Sequence, residues 1–425
     1  MTPTAADIPM HKQRDNSSAR NSEYASAATH SLTTTINKTN VLLLTSSLER
    51  GGAERQVVEL AKSLDSERFN VHVASLSHNN PLAEQLGDLQ ARFHIVEKRS
   101  KYDVGLIRRV RDLLIKLDIH VVHSFMFDAE MVGRLAGRWA GTPAVICSNR
   151  CPHWNRKKHK LWLARATNGC FDAMIANSQA GCDFEREQQN VPVDKLHVIP
   201  NGVDIERFHP GRPDDLRAEL DLPRDALIVG MIAHFRSNKD HPTYIKAAAK
   251  VVARHPNAIF ICAGDQDGSG PEHHFGKAQR LATSLGIAER LHFLGPRGDV
   301  DRLYRMLDIK VLATHFEGTP NVVLEAMATG LPTVVTDVSD NRRVVQDGKT
   351  GLLVRSQDAE MLADTLCALI ESPALREEIG KAARERAEVE YSTQTLGERT
   401  ANVYCDVLRR KGAPNLASGQ WPGAI

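Results

Sequence analysis

The feature that most constrains this chain is a run of consecutive apolar residues, Val41-Leu42-Leu43-Leu44, ending in Thr45 and followed by two glycines and an amphipathic stretch. An unbroken apolar run this short reads as a strand buried on both faces, and such strands belong to parallel sheets covered by helices. The motif recurs. After Gly51 and Gly52 a helix is expected from Ala53 to Leu64, with Val57, Leu60, Ala61 and Leu64 at helical spacing. Further strands are expected at Phe69 to Leu76, His120 to His123, Ala144 to Cys147, Ala173 to Ile175 and Leu196 to Ile199, the last ending at the turn Pro200-Asn201-Gly202. A second series starts with Ala226 to Ala233 and continues at Ala258 to Ala263, Leu291 to Leu294, Ile309 to Leu312 and Thr333 to Thr336. Helices through Ala359 to Ile370, Pro373 to Glu388 and Thr393 to Arg410 close the chain. The expectation is an α/β protein with two doubly wound domains facing a central cleft, where ligands sit beyond the carboxyl ends of the strands.

Length agrees, since 425 residues exceed one ordinary core. The division expected is an N-terminal tail over 1–39, a first domain over 40–205, a linker over 206–224, a second domain over 225–392, a final helix over 393–412 and a tail over 413–425. The N-terminal tail is poor in apolar residues and lacks the apolar core of a signal peptide, so it is read as disordered. Seven scattered cysteines without a CxxC pair point to reduced thiols and a cytoplasmic location rather than a disulfide framework or a zinc ribbon. A net charge of +2 gives no global pull toward nucleic acid, and none is expected as a partner.

The most informative stretch is Phe316 to Pro332, which follows a strand, turns through small residues and opens a helix near Asn321. The amides from Gly318 through Thr319, Asn321 and Val322 to Val323 would be free donors at the positive end of that helix, a setting that binds a diphosphate; Pro320 shapes the turn. Glu325, about one turn inside, could accept hydrogen bonds from a ribose diol, and Glu317 would face the other end of the ligand. Taken alone, the two glutamates also read as charges on a capped helix.

The ordered motifs around them resemble the retaining GT-B glycosyltransferases of the large family four group. The interdomain motif is Val198-Ile199-Pro200-Asn201-Gly202-Val203-Asp204 with Phe208 and Pro210, and the donor motif is Phe316 to Pro332. Val334-Val335-Thr336 and Asp347-Gly348-Lys349-Thr350-Gly351-Leu352-Leu353-Val354 match closing elements, and Gly51-Gly52-Ala53-Glu54 the first glycine loop. The resemblance covers roughly Asn40 to Arg410. It implies that Gly51 and Gly52 let backbone approach the donor across the cleft, and that Lys239 neutralises the diphosphate leaving group. It also implies that Glu317 touches the donor sugar near the reacting centre, that Gly318 to Asn321 supply amides, and that Glu325 holds the ribose. Two positions depart from the pattern. His234 stands where relatives carry Arg, so Arg236 is expected to take over the phosphate contact, and Arg150 falls nearest a customary sugar-contacting His. His123, ending Val121-Val122-His123, sits where the resemblance places acceptor-side residues. The final helix is expected to cross back to the first domain.

Asp265-Gln266-Asp267 looks like a metal-holding DxD but follows a strand into a glycine-rich turn, so it is read as a polar loop, with no metal or other cofactor expected. From Met131 to Phe171 there is no acidic residue, while Arg150, Arg156, Lys157, Lys158, Lys160 and Arg165 surround Trp154, Leu161, Trp162 and Leu163. A basic segment with tryptophan can rest on an anionic bilayer, and segment 150–165 is expected to dock on the inner leaflet; a core-facing Leu-Trp-Leu on a solvated basic face is the other reading. The resemblance implies transfer of a sugar, with retention, from a nucleotide sugar (UDP foremost) to a hydroxyl of a glycan or lipid-linked acceptor in cell-surface polysaccharide assembly. The alternatives are a nucleotide-sugar epimerase of the same architecture and a non-catalytic donor-binding subunit.

Overall fold

The computed structural model describes residues 38–100, 103–150, 157–211, 216–223, 225–266, 268, 270, 272–413 and 416. The N-terminal tail through residue 37, most of the C-terminal tail, and the residues Cys151, Trp154, Arg156 and Asp267 lie outside the described residues. The strands of the first sheet are β1 (Thr39–Thr45), β2 (Phe69–Ser75), β3 (Phe93–Ile95), β4 (Val121–Phe125), β5 (Ala144–Asn149), β6 (Ala173–Ala176) and β7 (Leu196–Val198). Those of the second are β8 (Ile228–Ile232), β9 (Ile259–Ala263), β10 (Leu291–Gly295), β11 (Ile309–Leu312), β12 (Thr333–Thr336) and β13 (Leu352–Val354). The orders are β3-β2-β1-β4-β5-β6-β7 and β10-β9-β8-β11-β12-β13. Both are the doubly wound orders that reverse beside the first strand of the series, at β1/β4 and β8/β11.

The apolar runs show why the sheets must be covered on both sides. Val41 and Leu43 enter one core, while Leu42 and Leu44 enter the core on the opposite face. In β8, Ile228 and Ile232 go to one face, Val229 and Met231 to the other. Period-two geometry sends neighbours to opposite faces, so a strand wrapped by helices is apolar at nearly every position. Each such side chain, fully buried, contributes ~1.5–3 kcal/mol relative to exposure.

Two short edge strands, β3 and β13, went unread from sequence because three residues carry little periodicity and neither is followed by a turn as plain as the one that marks β7. A more consequential difference concerns the stretch expected to be a linker. Phe208, Leu216 and Leu222 are buried in the core beneath the second sheet, so these apolar side chains pack with that layer rather than spanning open solvent. The passage between the two sheets is tight: the Val203 amide donates to the Tyr391 carbonyl at 2.7 Å, and the Thr393 amide to the Val203 carbonyl at 3.0 Å. Outgoing and returning segments therefore lie side by side. The helix Thr393–Arg410 then places Leu396, Tyr404, Val407 and Leu408 in the core of the first sheet.

Candidate active site

The site forms where the carboxyl ends of the strands in both sheets meet. Three segments build it: the glycine loop and helix Gly52–Ser63 after β1, the loop after β8 carrying His234, Arg236 and Lys239, and the loop after β11 leading into helix Asn321–Ala328. The last loop is shaped by its own small residues. Among the described residues no acceptor is paired with the amides of Gly318, Thr319, Asn321 or Val322, and Pro320 at the helix start offers no side-chain cap. These donors sit at the positive end of the helix, ready for an anion. A Cβ on Gly318 would stand 2.8 Å from Asn177 Oδ1, so only glycine lets the loop approach the first sheet this closely.

The loop is clamped by asparagines from the other half of the molecule. Asn201 Nδ2 donates to the Thr319 carbonyl at 2.9 Å and to Asn321 Oδ1 at 2.7 Å, while Thr319 Oγ1 donates to the Asn177 carbonyl. Asn321 Nδ2 reaches the Gly52 carbonyl at 3.0 Å. Asn177 and Asn201 were not singled out as site residues from sequence, although Asn201 stood inside the interdomain motif.

The charged residues separate into two groups. In the first, Lys239 Nζ pairs with Glu317 Oε1, and Thr314 Oγ1 lies 3.2 Å from the same oxygen. Glu325 is only 4% exposed; its Oε1 accepts from Arg55 Nη1 at 2.6 Å and its Oε2 from the Tyr304 hydroxyl at 2.8 Å. Neither Arg55 nor Tyr304 was anticipated. The only sequence signal for Arg55 was its place just after the glycine loop. Below this group lies Lys310, wholly buried, its ammonium donating to the Val311 carbonyl at 2.6 Å. Burial, helped by the nearby Lys239 charge, pulls its pKa down to about 7.

The second group lines an open cavity of about 690 Å³, with Gly51, Gly52, Glu54, Ser148, Arg150, His234, Arg236 and Asp265 in its wall. Arg236 is exposed there. The Glu54 carboxylate folds back over Gly51, and burial holds it above the usual carboxylate range. His234 Nδ1 lies 3.4 Å from Asp265 Oδ2 without the alignment of a hydrogen bond, and burial lowers its pKa, keeping the ring neutral at pH 7. A smaller cavity of about 500 Å³, walled by His78, Glu97, Lys98 and Asp128, shares Asn79 with the first.

His123 needs correction as an acceptor-side residue. Its ring is fully buried, with Nδ1 at 2.6 Å from the Tyr404 hydroxyl and Nε2 at 2.8 Å from Ser148 Oγ, and burial drives its pKa well below the ordinary value. Both nitrogens are spent on packing the last helix against β5, so the ring reaches no ligand. Arg150 does stand in the cavity wall, 8% exposed, with Nη1 donating to Asn201 Oδ1 at 3.2 Å. Burial pulls its pKa down to about 10.

With this geometry in place, the relatives are informative. Residues 50–207 match Glycosyltransferase Family 4, and residues 213–386 match Glycosyl transferases group 1. The UDP-Gal:alpha-D-GlcNAc-diphosphoundecaprenol alpha-1,3-galactosyltransferase of Escherichia coli is 25% identical over 377 residues, 85% of this chain and 95% of its own length. A D-inositol 3-phosphate glycosyltransferase of Actinosynnema mirum is 33% identical over 280 residues, covering 60% of this chain and 65% of that protein. Among solved structures, Anabaena HepE in complex with UDP superposes with a TM-score of 0.77 at 22% identity, over 87% of this chain and 100% of that one. An epimerase or a non-catalytic subunit is not favoured by these relatives. The chain belongs to the group 1 glycosyltransferases of the family four type, an enzyme family of sugar transferases built on two Rossmann-like domains in the GT-B arrangement.

Proposed function

We propose that this glycosyltransferase moves a sugar from a UDP-sugar, with retention, to a hydroxyl of a glycan or lipid-linked acceptor in cell-surface polysaccharide assembly. The observation that carries the donor half is the set of unpaired amides of Gly318, Thr319, Asn321 and Val322, near Lys239 paired with Glu317 and Glu325 paired with Arg55. In this reading the diphosphate lies on those amides, Glu325 takes the ribose, and Glu317 faces the donor sugar. Lys239 and Arg236 meet the negative charge that grows on the leaving phosphate, where a preorganised cation stabilises the transition state more than the ground state. The departing phosphate oxygen accepts the proton of the attacking hydroxyl on the same face of the sugar. Charge neutralisation is assigned to these side chains, so EDTA should leave turnover unchanged. The UDP of the HepE complex and the UDP-Gal of the E. coli relative support the choice of nucleotide.

The test is release of UDP from a panel of UDP-sugars, with and without acceptor glycans. Release that requires acceptor supports transfer, and the anomeric proton coupling of the product reports retention. Isomerised donor, or donor binding with no release in any arm, would overturn the reading.

Membrane association belongs to the same proposal. Among the described residues no helix is long and apolar enough to cross a bilayer. The helix Lys158–Ala166, however, leaves Trp162 70% exposed and Leu163 37% exposed amid Lys157, Lys158 and Arg165. An exposed tryptophan between cations favours an anionic surface over the core-facing alternative. The enzyme would then work from the cytoplasm, peripherally bound to the inner face of the membrane. Trp162→Ala should reduce co-flotation with anionic liposomes severalfold; equal recovery of wild type with neutral and anionic vesicles would remove the membrane contact.

A further inference from the structure

The carboxylate expected to bind ribose already has a partner from the other half of the protein. Arg55 sits in the first turn of helix Gly52–Ser63, beside the glycine loop, and its Nη1 donates to Glu325 Oε1 at 2.6 Å. Tyr304, wholly buried in helix Val300–Met306, holds the other oxygen at 2.8 Å. The Glu325 side chain is left 5% exposed, against 32% for Arg55. A ligand therefore cannot reach this carboxylate until one of its partners withdraws. Tyr304 has no route out of its core, whereas the arginine is long, flexible and open to solvent along a third of its surface.

We infer that Arg55 is a placeholder for the donor's ribose, a residue that controls donor binding by occupying the carboxylate that the ribose must take. The exchange is chemically even-handed. A vicinal diol brings O–H donors to the oxygen that the guanidinium N–H gives up, so the buried carboxylate is never left unpaired, which would be costly. The pair also joins a helix of the first sheet to a helix of the second, so donor entry and release of this contact between the halves are one event. Apparent donor affinity is then lowered by the fraction of molecules in which Arg55 is engaged. The inference rests on Glu325 being the ribose residue.

The experiment is calorimetric titration of UDP and of 2′,3′-dideoxy-UDP into the wild-type protein, Arg55→Ala and Arg55→Gln. Arg55→Ala should bind UDP about tenfold tighter than wild type, as expected when a competitor worth one decade is deleted. Arg55→Gln, which keeps a neutral N–H donor and much of the stem, should fall between the two and serves if the alanine variant fails to fold. Unchanged or weaker UDP binding in both variants would overturn the placeholder role. Equal affinity of the wild type for UDP and the dideoxy analogue would instead overturn the ribose assignment, which separates the two failures.

Discussion

The two groups of charged side chains at the cleft are satisfied in opposite ways. On the second-sheet side, Glu325, Glu317 and Lys239 are satisfied by protein partners, and the loop between them is pinned by Asn177 and Asn201. Beside that group the 690 Å³ cavity, lined from both halves, is open, and Arg236, on the loop after β8, stands exposed at its edge. A pre-paired wall costs little reorganisation to fold, but its ligand must displace what is there. The open cavity leaves Arg236 hydrated, so a polar ligand can meet it without first displacing a protein partner.

The sharpest break in this comparison is expected at Lys239. Lys239→Ala removes the cation proposed to meet the leaving group, and losing a single such partner typically costs ~2.7–4 kcal/mol of transition-state stabilisation. Turnover should fall by about two to three orders of magnitude while UDP affinity changes far less; a kcat within tenfold of wild type would take Lys239 out of the chemistry. Glu317→Ala should likewise lower turnover more than donor affinity, and unchanged turnover would remove that residue from the site.

Glu325→Ala is expected to act on the other parameter. A hydrogen bond to a charged group is worth ~1.5–3 kcal/mol, and part of that loss is offset because Arg55 no longer competes. UDP should bind roughly tenfold more weakly, with kcat at saturating donor nearly preserved. A collapse of kcat at unchanged affinity would show that the glutamate serves the sugar rather than the ribose.

A last effect falls on stability rather than on catalysis, through Lys310, buried close to Lys239, Glu317 and Glu325. Its folded pKa of about 7 lies below the ordinary 10.5, so the unfolded chain binds more protons between those values. Stability therefore rises with pH across that window, and the penalty for burying the ammonium is full below pH 7. Lys310→Met should raise Tm most at pH 6 and progressively less toward pH 10. A gain that does not vary with pH would mean that packing, not charge, accounts for it.

How much was legible in advance differs between these regions for a physical reason. The strands β1, β8 and β9 announced themselves because double-sided burial favours near-continuous apolar runs. The edge strands β3 and β13 did not, because three residues carry little period and no plain turn follows them, whereas the equally short β7 was flagged by Pro200-Asn201-Gly202 just beyond it. Phe208 and Leu216 were hidden in a segment whose Pro, Arg and Asp content suggested solvent. His123 was misread because a histidine at a strand end looks the same whether its ring faces a ligand or, as here, a tyrosine from the last helix 281 residues later.

The amino-acid sequence by itself determined the two doubly wound sheets, the amide-rich turn into helix Asn321–Ala328 and the residues Glu317 and Glu325 that flank it. Those features depend on local periodicity, on small residues and on helix-end chemistry, all written within a few positions of one another. Only the tertiary structure decided what each charge touches. Arg55 and Glu325 are 270 residues apart, and Asn201 lies 118 residues before the carbonyl it clamps. No spacing in the chain encodes such pairs, since they arise only where the two sheets bring their carboxyl ends together. The glutamate that sequence would leave waiting for a ribose is, in the folded protein, already held by an arginine.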